Sequence, residues 1–289
     1  MEWLLSDKGL SESSAICYAK DATKYYNFIF TSGVPFESGA NGFIMNLKND
    51  GVNEKTIARC ISSLRAFFEF LIEKEYVSTN PFLDVKLPKL KQSDPQVLTV
   101  QETQALLAQP DVSTPDGLRD KVLLELLYQS GLMVTQLLAL NTDNINLQLN
   151  AITLKSAVRE RIIPLYPPLT SAISEYMSSV RPAILKGRSE RALLINMRGN
   201  RLTRQAVFNI VDKYAQSAQI EFKVFPRMLR QSLAFHLVDN NADVKELQEA
   251  LGVTDSSAYN LYNTILKIKY DRTKTRSVNT VNNDEITQN

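Results

Sequence analysis

The sequence predicts a mainly helical, α+β protein of two domains, and three observations support this. In the first 80 residues, apolar side chains recur at helical spacing, as at Ile57, Ile61 and Leu64. Residues 81–98 contain three prolines among polar residues, which is typical of a linker. Residues 144–165 alternate polar and apolar side chains, which predicts a small antiparallel sheet set among helices.

Length and composition limit the possible classes of protein. The chain has 289 residues, of which 44% are hydrophobic, so it can bury a core in each of about two domains. No apolar run approaches the length of a membrane span, and the N-terminus lacks the features of a signal peptide. The two cysteines, Cys17 and Cys60, fit a reducing compartment, so we expect a cytoplasmic protein.

A single histidine, His236, excludes several kinds of catalytic site. One histidine cannot supply an HExxH metalloprotease motif, and it makes a His/Cys zinc site improbable. We therefore expect no metal and no cofactor.

The charges are distributed unevenly along the chain. Residues 1–95 carry 11 Lys and Arg against 12 Asp and Glu, whereas residues 151–230 carry 14 against 5, a net charge of +9. Such a block is a candidate contact surface for a polyanion. The alternative is a solvated basic face without a partner.

The predicted elements follow from capping residues and periodicity. Ser11 caps a helix that includes Tyr18–Phe30, and Asn53 caps one that ends near Lys74–Tyr76, so residues 1–88 form a helical bundle. After a linker over 89–98, Thr99 and Glu102 form a capping box that opens the second domain, which covers 99–270. Its further predicted helices are Arg119–Ser130, Leu169–Ser179, Thr203–Ala218, Met228–Asn240 and Val244–Ala250. Residues 271–289 are predicted to be a disordered polar tail.

Five strings in this second domain, at 117–132, 159–165, 201–207, 226–237 and 244–252, resemble the tyrosine recombinase (phage integrase) family, specifically its Xer-like branch. The resemblance covers about residues 3–266. It implies a helical core-binding (SAM-like) bundle followed by a catalytic-type domain with a small antiparallel sheet. In that family a tyrosine attacks a DNA phosphate and forms a 3′-phosphotyrosine, while two arginines, histidine-type donors and a lysine assist.

Transferred to this chain, the family pattern retains only two of six positions, Arg230 as the second arginine and Tyr262 as the nucleophile. The other four positions are occupied as follows: Met133 for the first arginine, Ser156 for the hairpin lysine (with Lys155 one residue earlier), Arg227 for the first histidine, and Val253 for the second histidine or tryptophan. Gln136 stands where an acid often supports the first arginine. Methionine cannot donate a hydrogen bond, so the resemblance implies a degenerate catalytic set.

The resemblance and the basic block together suggest a set of DNA-contacting residues. They are Arg201, Arg204 and Gln205 at a helix start, Arg227 and Arg230, Lys155, Arg159 and Arg161 on the hairpin, and Arg59 and Arg65 in the first domain. A helix start with Arg and Gln suits phosphate and base-edge contacts.

Three hypotheses remain open. The first is a catalytically inactive homologue that binds double-stranded DNA in an architectural or regulatory role, is associated with the nucleoid, and pairs with itself or an active recombinase through Thr264–Tyr270. The second is an active recombinase with a rearranged site that uses Tyr262, Arg230, Arg227 and Lys155. The third is a protein-interaction module that has lost DNA binding, whose basic residues would be interrupted by acids on the folded surface.

Overall fold

A computed structural model describes residues 2–89, 96–155, 160–254 and 256–269, except for the side chain of Lys155. The chain divides into two compact units, Met1–Ser93 and Asp94–Asn289. Each unit is mostly helical, and the second contains a three-stranded antiparallel sheet, as the sequence predicted. None of the helices described is long and apolar enough to cross a membrane.

The first unit is a helical bundle. Its helices are α1 (Glu2–Ser6), α2 (Glu12–Ser32), α3 (Ala40–Asn49) and α4 (Glu54–Glu73). The two predicted caps are confirmed, because the Ser11 hydroxyl accepts the Ser14 N–H at 3.3 Å and the Asn53 side chain accepts the Lys55 N–H at 2.9 Å. The sequence analysis did not delimit α1 and α3.

The core of the bundle is rich in aromatic rings around Tyr25. This side chain is fully buried and donates its hydroxyl proton to the Phe36 carbonyl at 2.6 Å. The rings of Phe43, Phe68 and Phe82 lie 5.0–5.8 Å from it, centroid to centroid, in edge-on arrangements with interplanar angles of 68–78°. Such arrangements suit the quadrupoles of aromatic rings, so the bundle is held by specific ring contacts as well as by burial.

The second unit begins after the proline-containing segment and contains the remaining elements. They are α5 (Val100–Ala108), α6 (Pro115–Gln129), α7 (Val134–Ala139), β1 (Ile145–Asn146), β2 (Ala151–Lys155), β3 (Glu160–Pro164), α8 (Pro167–Glu175), α9 (Arg181–Leu185), α10 (Arg204–Ser217), α11 (Pro226–Asp239), α12 (Val244–Leu251) and a last helix, α13, over residues 256–269. A π-helical turn, Tyr176–Val180, joins α8 to α9. The capping box of Thr99 and Glu102 is present at the start of α5, as predicted.

The sheet has the order β1-β2-β3 and is antiparallel throughout. Ile152 pairs with Ile163, and both side chains are buried against the helices. Pro164 pairs with Ala151 at the end of β3, which agrees with the predicted edge or end position.

Helix α6 passes through the middle of the second core and buries polar groups with its apolar ones. Asp120 is buried and accepts hydrogen bonds from Arg119 at 2.6 and 2.8 Å and from the Tyr214 hydroxyl at 3.0 Å. Burial raises the pKa of the Asp120 carboxyl, although Arg119 opposes this. The three groups satisfy one another and link α6 to α10.

A separate apolar cluster joins α11, α12 and α13. Ile265 and Ile268 of α13 are buried and belong to this cluster with Phe235 and Leu247. The apolar face of the predicted docking segment, Thr264–Tyr270, is therefore covered within its own chain, and Tyr270 lies outside the described residues. The predicted tail, 271–289, also lies outside them.

The end of the predicted linker is packed rather than free. Val97 and Leu98 are buried, so the second core begins two residues earlier than the predicted domain start. The N–H of Leu98 donates to the Ser232 hydroxyl at 2.8 Å, and its carbonyl oxygen lies 2.9 Å from Nε2 of His236. Nδ1 of His236 lies 2.9 Å from the Tyr128 hydroxyl, so both ring nitrogens are engaged.

His236 should make the stability of the protein depend on pH. Burial lowers its pKa, with the Leu98 carbonyl and Asp239 opposing, so the unfolded chain, with a histidine pKa of about 6.5, binds the proton more tightly. The contribution of the neutral, buried His236 to the free energy of unfolding is complete above the pKa of the unfolded histidine and is lost as the pH falls below it. We expect the free energy of unfolding, measured by urea titration, to fall more between pH 7.5 and pH 5 in the wild type than in His236→Gln. Equal losses in the two proteins would contradict this.

Candidate nucleic-acid interface

The start of α10 presents two of the predicted DNA-contacting side chains to solvent. Thr203 caps the helix, its hydroxyl accepting the Ala206 N–H at 3.2 Å. Arg204 and Gln205 are both exposed, and Gln205 donates to Asn209 at 2.8 Å. The structure places both residues in the first turn of this helix, where the sequence predicted them, while their contact with DNA stays a prediction.

Arg201, in contrast, points its guanidinium group into the protein. It donates to the carbonyls of Leu138 and Leu140, the latter at 3.1 Å, and to the side chain of Asn141 at 2.6 Å. These bonds fasten the segment before α10 to the end of α7. The guanidinium donors of Arg201 that make these bonds are therefore used within the fold.

Two phenylalanines and two cations lie together near the starts of α10 and α11. The Arg204 guanidinium lies 5.5 Å from the ring centroid of Phe208, and the Lys223 ammonium lies 5.8 Å from that of Phe225. The two ring centroids are 6.4 Å apart. We call Phe208 and Phe225 the aromatic platform. This pair of rings was not predicted from the sequence, although the four-residue spacing of Arg204 and Phe208 on a helix predicts that their side chains are neighbours.

Arg227, two residues after Phe225, is exposed in the first turn of α11. Its side chain makes no hydrogen bond or ion pair of its own with the residues that the structure describes. It is therefore available to a partner, in contrast to Arg230 one turn later.

Arg161 and Arg230 converge on the C-terminal end of α12. The Leu251 carbonyl accepts Nη1 of Arg161 at 3.2 Å and Nη2 of Arg230 at 3.0 Å. Arg161 also donates to the Ala250 carbonyl and Arg230 to the Gly131 carbonyl. Burial and the neighbouring Arg161 lower the pKa of Arg230 to about 10.

The resemblance assigns the position of the first family arginine to an apolar residue, Met133, and this assignment stays a prediction. Met133 precedes α7 and is 50% exposed, and its N–H donates to the side chain of Gln136 at 2.9 Å. Gln136 thus caps its own helix. It lines a cavity of about 710 Å³ with Arg161 and Val253, among other residues.

Two more residues that the resemblance assigns to the catalytic set, Val253 and Tyr262, lie near the apolar cluster of α11–α13. Val253 and Tyr262 are both half-buried and pack against that cluster. Tyr259, on the same helix as Tyr262, is 59% exposed.

In the first unit, the two predicted DNA-contacting arginines have internal partners. Arg59 forms an ion pair with the buried carboxylate of Asp21. Arg65 donates to three backbone carbonyls, those of Phe82, Leu83 and Val85, at 2.9–3.1 Å. Both side chains hold the bundle together, although 40% of the Arg59 side chain remains exposed. Their contact with DNA stays a prediction.

Part of the predicted hairpin site lies outside the residues described. Ser156 and Arg159 fall between β2 and β3, and only the backbone of Lys155 is described. Within the described ranges, no group of three or more His, Cys, Asp or Glu is arranged to hold a metal ion.

The basic block keeps its positive charge in the fold. Among its described residues, only Arg191 forms an ion pair, with Asp143 at 3.3 Å. Five other arginines donate to neutral backbone carbonyls: Arg161, Arg181, Arg188, Arg201 and Arg230. A carbonyl satisfies the donors without cancelling the charge of the guanidinium group. The interruption by acids that the protein-interaction hypothesis predicts stays a prediction, because the block also contains exposed acids such as Glu175 and Glu221.

Comparison with protein families gives two matches that together cover most of the chain. The model described as "Phage integrase family" matches residues 96–267, and that described as "Phage integrase, N-terminal SAM-like domain" matches residues 1–75. Among curated proteins, the chain is 34% identical to "Tyrosine recombinase XerD" of Listeria innocua over 277 residues, 93% of each chain. It is 33% identical to "Putative tyrosine recombinase TTE1313" of Caldanaerobacter subterraneus over 273 residues, again 93% of each.

Solved structures of low sequence identity share the fold. XerH recombinase, in a post-cleavage complex with a palindromic difH substrate, superposes with a TM-score of 0.71 at 18% identity, covering 90% of this chain and 78% of that one. A lambda integrase dimer bound to a COC′ core site gives 0.65 at 16% identity, covering 89% and 93%.

Two features of the structure favour glycine at position 252. Its backbone is in the left-handed region, and the side chain of Arg161 occupies the space that a Cβ would need. Gly252 has φ +60°, and a Cβ there would lie 2.5–2.9 Å from three atoms of Arg161. Gly187 has φ +83° with nothing within 4 Å of such a Cβ, and is the matched control. We expect Gly187→Ala to lower the free energy of unfolding by about 1–2 kcal/mol from the left-handed backbone alone, and Gly252→Ala to lower it further.

Urea unfolding of both variants, with and without Arg161→Ala, checks this expectation. In the Arg161→Ala background the additional loss at Gly252 should disappear, because the atoms that its Cβ would meet are gone. An additional loss that persists there would contradict the assigned contact.

Proposed function

This chain belongs to the phage integrase family of tyrosine recombinases, and we propose that it binds double-stranded DNA without cutting it, in an architectural or regulatory role. Support for duplex DNA as the partner comes from the relatives, since the XerH and lambda integrase structures are DNA complexes. The positive block of the second unit supports the same partner.

The proposed contacts are the exposed cations of the second unit. Arg204 and Arg227 are exposed and have no acidic partner among the described residues, so both suit phosphate oxygens. Gln205 at the start of α10 suits a base edge. Arg201 contributes to this surface indirectly, by fastening the segment before α10 to the end of α7. Arg59 and Arg65 hold the bundle of the first unit.

The observation that carries the proposed inactivity is Met133. It places an exposed apolar side chain where the family has a charged donor to the reacting phosphate. Removal of one such donor from an enzyme costs roughly 10²–10³ in rate, and Val253 is a second loss of this kind. The terminal nitrogens of Arg230 are bonded to the Gly131 and Leu251 carbonyls, so the retained arginine would have to exchange those bonds for a phosphate.

We further propose that the protein associates with itself or an active recombinase, and with the nucleoid. Pairing through residues 264–269 would require Ile265 and Ile268 to leave their own cluster for that of a neighbour. A DNA-binding protein without a membrane span among its described helices would be found with the nucleoid.

The DNA-binding part predicts a salt-dependent affinity that rests on unpaired cations. We expect Arg204→Ala combined with Arg227→Ala to weaken binding to a duplex and to lower the salt slope by about 1.8, since each phosphate contact contributes about 0.9. Arg191→Ala, which removes an arginine already paired with Asp143, is the control and should change the slope little. Anisotropy titrations from low to physiological salt measure both. Absence of binding even at low salt would favour the protein-interaction alternative.

The inactive part predicts that no covalent protein–DNA adduct forms. A nicked suicide duplex traps a phosphotyrosine, and denaturing gels of the wild type should show no trapped species above the level of Tyr262→Phe. An adduct that Tyr262→Phe abolishes would establish the alternative, an active recombinase with a rearranged site. The same gels on a Met133→Arg variant test whether the missing donor limits the reaction.

A further inference from the structure

Phe225 occupies a position where a phenylalanine brings no benefit to the helix that follows it. It is the N-cap residue of α11, with extended backbone angles, and its side chain accepts no hydrogen bond from the helix. Ser, Thr, Asp or Asn at this position would satisfy a free backbone N–H. The ring is 41% exposed, so core packing does not account for it either.

The second ring of the aromatic platform and its cations give the exposed ring a context. Phe208, half-buried on α10, lies 6.4 Å from Phe225 between centroids, at 58° to it. Arg204 lies over Phe208 and Lys223 over Phe225, at 5.5 and 5.8 Å. Each cation is held near a ring face, which limits its freedom before any ligand binds.

Cations flank the aromatic platform. Arg204 and Lys223 lie over its rings, and Arg227 follows Phe225 by two residues along the chain. None of the three forms an ion pair with a described acid. Exposed aromatic rings among unpaired cations complement nucleotides, which combine a flat base with a negative phosphate.

We propose that the aromatic platform stacks on an unpaired nucleobase of bound DNA while the flanking cations hold the adjacent phosphates. The inference rests on the proposed DNA binding and adds a class of substrate to it. In an intact duplex the faces of the bases are covered by their neighbours, so the ring of Phe225 can stack only where a base has left the helix. The protein should therefore prefer DNA that carries an extrahelical base.

The test compares three duplexes of the same sequence by competition anisotropy. One is intact, one carries a single extrahelical adenine, and one carries an abasic residue at that place. The last two carry the same extra sugar-phosphate unit and differ only in the base, so the difference between their affinities reports on the base. We expect the wild type to bind the adenine duplex about 5- to 150-fold more tightly than the abasic one.

Two variants of Phe225 separate stacking from folding. Phe225→Ala and Phe225→Ser should both abolish the preference for the adenine duplex over the abasic duplex. Phe225→Ser also restores a capping oxygen, so it should raise the melting temperature. Tyr166→Ala is the control, because Tyr166 is also an exposed aromatic N-cap residue and has no cation over its ring among the contacts described.

The outcomes distinguish a failure of base stacking from a failure of DNA binding itself. A preference retained in Phe225→Ser, or lost equally in Tyr166→Ala, would overturn stacking at the aromatic platform. Binding of all three duplexes with equal affinity by the wild type would also overturn it while leaving DNA binding intact. Failure to bind any of them at low salt would overturn the proposed function itself.

Discussion

The geometry of the candidate interface depends on two hydrogen bonds that the carbonyl oxygen of Leu251 accepts. Arg161 from the sheet and Arg230 from α11 both donate to it, so one atom joins three elements at the end of α12. Arg230 extends the connection to the Gly131 carbonyl, next to α7. A helix C-terminus has unsatisfied carbonyls and a partial negative charge, and two guanidinium groups satisfy both needs. Burial, together with the repulsion between the two arginines, lowers the pKa of Arg230.

Hydrogen bonds from arginine to backbone carbonyls recur across the basic block, so its net charge does not equal the number of cations that can contact a partner. Arginines that bond to carbonyls contribute structure and field together, whereas arginines paired with acids contribute only structure. The second unit uses the first kind extensively, as at Arg181 and Arg201. The cations free to touch a partner are therefore fewer than the net charge of +9 suggests, while the field that attracts a polyanion is not reduced.

Local signals in the sequence were sufficient for most of the fold. Caps such as Asn53 and Thr99 and the alternation at the sheet act over a few residues, and the structure retains them. The partners of the arginines could not be predicted, because a backbone carbonyl leaves no side-chain signature, and several of these carbonyls lie 61 to 99 residues away along the chain. Phe225 escaped notice for another reason. A phenylalanine beside a proline resembles ordinary core sequence, and only its exposure in the fold makes it unusual.

The fastening of Leu98 has a consequence for how the chain is made. Its two backbone groups bond to Ser232 and His236, 134 and 138 residues further along. Closing so long a loop has a large entropic cost and raises the contact order of the second unit. During synthesis the first unit, which has a hydrophobic core of its own, is complete before the second. The start of the second unit must wait, exposed, until α11 has left the ribosome. The order of synthesis thus favours a finished bundle attached to an incomplete partner, and this interval is when the second core is most open to misfolding.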